Sequence, residues 1–238
     1  MYMNKAPFIA LEGIGGSGKS GTWKRVGAWL NAQAVPLTMV REPGGTPHAE
    51  YLRQLVNTGF PGIDTQLDPM GVALLFNACR IDLVNKVIRP ALDQGQVVLT
   101  DRFCDTTFVY QSVFNGLEQS TLQDLHKDVI GLYPNWTYLL DCPGEVANAR
   151  VSDAEKQRDQ FDRAGIEKQE AMRQAYLSLA RTYPGRYVVI DATKSEDEVF
   201  QEIINHLCDT LILRGFNVQR PPSPEEAQAF AHSPDPVM

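Results

Sequence analysis

A five-stranded parallel α/β fold, with helices on both faces of its sheet, is what this sequence predicts. Three observations carry that reading. Short apolar runs alternate along the chain with segments of helical periodicity or helix-start residues. Three of the runs, Val97–Asp101, Trp136–Asp141 and Tyr187–Asp191, end in aspartate, and strand carboxyl ends are where ligands collect in open α/β sheets. A length of 238 residues with 43% hydrophobic content suits one domain around one core. The net charge of −7 argues against a protein that coats nucleic acid, so anions must be held by a few placed arginines. No apolar run reaches bilayer length, and Met1-Tyr-Met-Asn-Lys5 lacks a signal peptide's apolar segment, which predicts a cytoplasmic protein with no membrane partner. Cys79, Cys104, Cys142 and Cys208 are far apart with no C-x-x-C pair, so they read as reduced thiols, not as a zinc site or disulfide framework.

The first predicted strand, Phe8–Glu12, breaks into Gly13-Ile-Gly15-Gly16-Ser17-Gly18-Lys19-Ser20. Gly13, Gly18, Lys19 and Ser20 meet the pattern G-x-x-x-x-G-K-[ST]. Physically this is a buried strand, a loop of small residues whose backbone N–H groups are free to surround phosphate oxygens, and a helix N-terminus that favours anions. The spacing predicts a P-loop NTPase fold that binds ATP through Gly13, Gly15, Gly16, Ser17, Gly18, Lys19, Ser20 and Gly21. Lys19 is expected to reach the β- and γ-phosphates, and the Ser20 hydroxyl to ligate Mg²⁺. The plain alternative is a glycine-rich turn before an ordinary helix.

The second strand, Leu37–Arg41, runs into Arg41-Glu42-Pro43-Gly44-Gly45-Thr46-Pro47, which puts a guanidinium over the same sheet edge as the phosphate loop. A second arginine, Arg80, lies four residues after Phe76, a helical spacing that sets an aromatic ring and a planar fork of donors on one face. The third strand, Val97–Asp101, ends in a carboxylate suited to the metal shell, with Arg102 beside it. Taken singly, each arginine reads equally well as one half of a surface salt bridge. Trp136–Asp141 and Tyr187–Asp191 are the fourth and fifth strands. Ser195 then caps a helix to Leu213, with Val199, Phe200, Ile203, Ile204, Leu207 and Leu211 at helical spacing behind an acidic first turn. From residue 214 to 238 the proline-dense composition reads as a mobile tail, with a docking peptide as the alternative.

In this order the residues resemble the thymidylate (dTMP) kinase family of bacteria and phages. The resemblance rests on the phosphate loop, on Arg41-Glu-Pro-Gly-Gly-Thr46, and on Leu75-Phe76-Asn-Ala-Cys-Arg80 leading to Val87-Ile-Arg-Pro-Ala-Leu92. It continues through Asp101-Arg102-Phe103 with Thr106, Tyr110 and Gln111, through Leu139-Leu-Asp141-Cys-Pro143 and Tyr176-Leu-Ser-Leu-Ala180, and closes at Ile190-Asp191-Ala192. It covers about Pro7 to Leu213 and omits the tail.

The resemblance implies transfer of the γ-phosphoryl of ATP to the 5′-phosphate of dTMP, giving dTDP and ADP, by a homodimer joined around Leu74–Leu92. Residues 1–213 would form the kinase domain. By similarity, Lys19, Arg102 and a lid arginine act in catalysis, while Arg41 and Arg102 grip the acceptor phosphate. Phe76 stacks on thymine, Arg80 bonds a ring oxygen, and Thr106 and Thr107 add hydroxyl contacts. Tyr110 lies against the sugar, or else packs in the core beside Val109. Ser20 and Asp101 hold the metal. The lid, about 152–166, keeps Asp159-Gln160-Phe161-Asp162 where the family has arginine after the first aspartate. Arg158 is the first candidate to replace it, with Arg163 and Arg150 as alternatives. Phe103 stands where the family prefers tyrosine or histidine. Gly15 stands where it carries an acid that contacts the acceptor sugar, which leaves a broader deoxynucleoside monophosphate kinase as the alternative. A nucleotide-binding protein without turnover is the third reading.

Overall fold

The computed structural model describes residues 6–58, 67–153 and 165–221. Five strands, β1 (Phe8–Glu12), β2 (Leu37–Arg41), β3 (Val97–Asp101), β4 (Trp136–Asp141) and β5 (Tyr187–Asp191), form one sheet in the order β2-β3-β1-β4-β5. Every pairing is parallel. The chain leaves β1 toward β2 on one side and later crosses from β3 to β4 on the other. The reversal occurs at the carboxyl end of β1, the place where open α/β sheets bind ligands. Register aligns the ends: Asp101 lies opposite both Leu11 and Arg41, and Glu12 opposite Leu139.

Helices fill the connections: α1 (Lys19–Ala32), α2 (Pro47–Thr58), α3 (Pro69–Leu83), α4 (Arg89–Asp93), α5 (Cys104–Asn115), α6 (Gln119–Val129), α7 (Gly144–Asp153), α8 (Ile166–Thr182) and α9 (Glu196–Leu213). The two strands at the centre, β1 and β3, are buried along their whole length, whereas edge strand β5 leaves Val189 44% exposed. That difference explains why β1 and β3 read as unbroken apolar runs. Ser195 caps α9 as expected, and Glu198 returns the bond, each side chain bonded to the other's backbone N–H.

Two features differ from the expectations. The helical stretch around Leu74–Leu92 is interrupted by a π turn at Val84–Ile88, where the Arg89 N–H bonds the Val84 carbonyl five residues back. The interruption directly precedes Pro90, which donates no N–H and crowds the turn before it. The chain also stays on the body past 214. Val218 is buried, Phe216 packs on the core, and the Gln219 N–H donates to Gln33 Oε1 at 2.9 Å. Two apolar residues in a short polar stretch suffice to dock it, so the segment expected as tail from 214 is held on the body as far as Gln219; residues 222–238 lie outside the described ones.

Candidate active site

The phosphate loop joins β1 to α1, and three of its glycines, Gly13, Gly16 and Gly18, have positive φ. Gly13 has φ +143°, and a Cβ there would lie 2.7 Å from the Leu140 carbonyl oxygen and 2.9 Å from Ser17 Oγ. Gly18, at φ +90°, is the residue from which α1 starts. The first N–H groups of α1 have no acceptor within the helix, so they and the helix dipole face whatever anion sits above. A cavity of about 240 Å³ opens there, lined by Gly15, Gly16, Gly18, Lys19, Ser20, Gly21 and Arg102. Ser17 is buried below it, and buried Lys19 donates from Nζ to the Ile14 carbonyl at 2.6 Å.

Of the three aspartates that end strands, the structure brings only Asp101 onto this cavity's rim. Ser20 Oγ donates to Asp101 Oδ2 at 2.8 Å, joining two residues 81 positions apart. Asp101 Oδ1 is buried without a hydrogen-bond partner. A hydroxyl and a carboxylate beside a phosphate loop fit Mg²⁺, which takes one or two protein oxygens and completes its octahedron with phosphate and water. Asp141 is instead clamped by Arg173, Nε to Oδ1 at 2.5 Å and Nη2 to Oδ2 at 2.9 Å. Asp191 bonds the N–H and hydroxyl of Thr193 in its own turn. Among the described residues, no group of three or more His, Cys, Asp or Glu side chains is arranged to hold a metal by itself.

Arginines ring the other side. Arg41 is exposed at the end of β2, in register with Asp101, and has no side-chain partner among the described residues. Arg80 is 3% exposed. Its Nε donates to Glu42 Oε2 at 2.7 Å and its Nη2 to Thr107 Oγ1 at 2.8 Å, while Nη1 is buried with no partner. One turn earlier on α3, Phe76 is half-buried and stands apart from the core cluster. Phe103, by contrast, is fully buried, edge-on to Phe8 and His126 and beneath the Arg80 guanidinium.

Arg102 lines the phosphate cavity from β3's end with φ +71°, a left-handed conformation rare outside glycine that costs about 1–3 kcal/mol. Its Nη1 donates to Thr106 Oγ1 at 3.3 Å and to the Tyr110 hydroxyl at 3.2 Å. Both threonine hydroxyls expected against the base, Thr106 and Thr107, are thus engaged by arginines, and the Tyr110 hydroxyl is likewise tied to the phosphate-binding group. Cys79, Cys104, Cys142 and Cys208 are free and buried.

Three residues of the site escaped sequence reading. Glu42 is the buried counter-ion of Arg80, with its other oxygen unpartnered; burial raises its carboxyl above the usual range, against the opposing pull of Arg80. Glu12, at 0% exposure, accepts from the Phe103 and Thr106 N–H groups and from the Thr106 and Tyr176 hydroxyls. Its carboxyl is pushed up to about 7, first by burial and then by Asp105. Tyr176 reaches this pair from α8. The available signal for Glu12 was an acid closing an otherwise apolar strand against the first loop glycine.

Before the lid, in α7, Arg150 donates from Nη1 to the Ala192 carbonyl at 2.8 Å. Arg158, Asp159, Gln160, Phe161, Asp162 and Arg163 lie outside the described residues. No described helix is long and apolar enough to cross a membrane.

Comparison with known proteins gives one family. The family model described as Thymidylate kinase matches residues 11–203. A thymidylate kinase of Dinoroseobacter shibae is 40% identical over 199 residues, 84% of this chain and 95% of the relative. One of Symbiobacterium thermophilum is 40% identical over 213 residues, 88% of this chain and 95% of the relative. The crystal structure of thymidylate kinase from Ehrlichia chaffeensis superposes with a TM-score of 0.68 at 30% identity, covering 85% of this chain and 98% of the other.

Proposed function

This chain belongs to the thymidylate kinase family and phosphorylates dTMP with ATP as donor, and we propose which of its residues carry the reaction. The observation that supports the assignment best is the meeting of Lys19, Ser20 and Arg102 on one cavity, with Asp101 bonded to Ser20 at its rim. The loop N–H groups from Gly13 to Gly21 and the Lys19 ammonium hold the β- and γ-phosphates of ATP. Arg102 and Arg41 hold the acceptor phosphate, and their planar forks suit its oxygens. Arg80 offers the buried, unpartnered Nη1 to a base oxygen, Phe76 supplies the stacking face, and Thr107 fixes the Arg80 fork. Tyr110 bounds the sugar side and steadies Arg102. Ser20 and Asp101 would hold Mg²⁺, which would supply neutralising charge to the ATP phosphates. No side chain has to act as general base, because a phosphate monoester with a second pKa of about 6 is already largely ionised near neutrality. Positioning and charge neutralisation then supply most of the acceleration.

Release of ADP, followed by a coupled assay with dTMP, dUMP, dCMP and dGMP, tests this reading. We expect dTMP to be preferred, with dUMP, lacking one methyl, behind by about 10- to 200-fold. Equal rates across the series favour a broad deoxynucleoside monophosphate kinase, a reading motivated by the missing side chain at Gly15 on the cavity wall. No ADP release with any acceptor leaves only nucleotide binding. In the same assay Arg158→Ala, at the proposed lid arginine, should slow transfer strongly with little change in dTMP KM, the pattern of a contact made in the transition state. Arg150, already bonded to the Ala192 carbonyl, should matter less.

A homodimer through α3 is the proposed assembly. Leu74 is 49% exposed there, and Ala78 and Ile81 line an open hollow of about 350 Å³ with Asp82, Asn85 and Lys86. Sedimentation should give a dimer at micromolar concentration and a monomer for Leu74→Glu; a monomeric parent removes the proposal. Four buried free thiols fit a reducing compartment, and the cytoplasm is the proposed location.

A further inference from the structure

Arg102 lines the phosphate cavity from a backbone conformation, φ +71°, that favours glycine. Any other residue keeps such a conformation only where its surroundings over-determine it. All four hydrogen-bonding groups of the two peptides that flank its Cα have partners. Two of the partners are backbone: the Asp101 carbonyl accepts the Glu42 N–H at 3.0 Å, and the Arg102 N–H donates to the Leu11 carbonyl at 3.0 Å. The other two are side chains. Thr100 Oγ1 donates to the Arg102 carbonyl at 2.7 Å, and the Phe103 N–H donates to Glu12 Oε1 at 2.7 Å.

We propose that Glu12 and Thr100 are positioning residues for the acceptor-phosphate arginine: they clamp the left-handed backbone of Arg102 and so aim its guanidinium. Both are 0% exposed, and neither lines the phosphate cavity. Thr100 fixes the peptide that leaves Arg102 from below, inside β3. Glu12 fixes the same peptide from β1 and carries it into α5. That helix starts at Cys104, and Phe103 at its N-cap has no side-chain oxygen to accept the third helical N–H, the bond a serine or aspartate makes there. Glu12 Oε1 takes that N–H, of Thr106, at 3.3 Å from across the sheet end. One buried oxygen thus caps α5 and holds the peptide after Arg102. Glu12 also directly precedes Gly13, so the phosphate loop and the clamp of Arg102 share one anchor at the end of β1.

The backbone sets where the side chain goes. Arg102 Nη1 meets Thr106 Oγ1 at 3.3 Å and the Tyr110 hydroxyl at 3.2 Å, both on α5. A return of φ to the ordinary negative region rotates Cβ and carries the guanidinium off these two anchors and off the cavity wall. The clamp does not depend on the charge of Glu12, whose carboxyl burial and Asp105 push up to about 7. A proton on it belongs to Oε2, because Oε1 already faces two backbone donors, and Oε1 goes on accepting from both. The neighbours of Oε2 are the hydroxyls of Thr106 and Tyr176, which accept as readily as they donate.

The inference rests on Arg102 gripping the acceptor phosphate, so Arg102→Ala is measured alongside. The experiment is dTMP KM, ATP KM and thermal melting for the parent, Glu12→Met, Glu12→Gln, Thr100→Val and Arg102→Ala, and for Glu12→Met and Thr100→Val each combined with Arg102→Ala. Methionine and valine keep the volume and lose the bond, whereas glutamine keeps an oxygen for the two N–H groups. We expect dTMP KM to rise about tenfold in Glu12→Met and about threefold to tenfold in Thr100→Val, with ATP KM nearly constant. Glu12→Gln should stay close to the parent. In the Arg102→Ala background neither substitution should raise dTMP KM further, because the group that it positions is gone. An unchanged dTMP KM in folded Glu12→Met or Thr100→Val overturns the proposal for that residue, even if the variant melts earlier. A rise that persists in full without Arg102 overturns it for both. If Glu12→Met does not fold, Thr100→Val, which replaces one hydroxyl by a methyl, decides. An unchanged dTMP KM in Arg102→Ala removes the assignment of Arg102 itself, a different failure.

Discussion

Lys19→Ala should lower the rate of phosphoryl transfer by about 10²- to 10³-fold, a loss of roughly 3–4 kcal/mol of transition-state stabilisation, with little change in the fold. Lys19 opens α1 directly after the phosphate loop, is 5% exposed, and bonds the Ile14 carbonyl of that loop. Its charge is therefore held at the phosphates by the loop itself, preorganised before any nucleotide arrives. Truncation deletes that charge and takes this donor from the carbonyl of buried Ile14, so stability should fall by about 1–3 kcal/mol. Lys19→Arg should not rescue the rate: a planar fork does not fit a glycine-walled loop that takes a compact ammonium. Single-turnover transfer and thermal melting of the two variants check this together. A well-folded Lys19→Ala enzyme with near-parent transfer would falsify the assignment of this loop.

The five strands were legible because each is a short apolar run closed by a charged residue, and the structure ends all five at those residues: Glu12, Arg41, Asp101, Asp141 and Asp191. The phosphate loop was legible because Gly13, Gly16 and Gly18 answer a backbone demand for positive φ that glycine meets best. What three aspartates at strand ends do was not legible from their positions. Asp101 faces Ser20, Asp141 faces Arg173 and Asp191 faces its own turn, and only packing decides which. Polar networks were the largest omission. Glu12 reads as one more strand residue until Phe103, Thr106 and Tyr176 converge on it from two helices and a loop. The π turn before Pro90 and the docked segment at Phe216 and Val218 were missed for a related reason. Local composition names what interrupts a helix or weakens a segment, but not how tertiary contacts absorb the interruption or hold the segment.

Arg80→Met should be the most destabilising single change in the acceptor half of the site, and the reason separates its structural from its binding role. Arg80 and Glu42 are a salt bridge with side chains 3% and 5% exposed. Removing the guanidinium leaves a buried carboxylate without its partner, a change that costs about 3–5 kcal/mol. Glu42 is already raised by burial, and Arg80 is what opposes that rise, so the folded-state pKa climbs further in the variant. A carboxyl whose folded pKa exceeds its unfolded one binds more protons when native, so its stability contribution is full at acid pH and is lost as pH rises through the folded value. The melting-temperature gap between Arg80→Met and the parent should therefore widen from pH 5 to pH 8. Adding Glu42→Gln should close much of that gap, because no charge is then stranded, whereas dTMP binding should stay weak because the base has still lost its donor. A gap that is flat with pH would show that no stranded Glu42 charge underlies the loss, and a double variant that regains dTMP affinity together with stability would show that Arg80 serves the fold without touching the base.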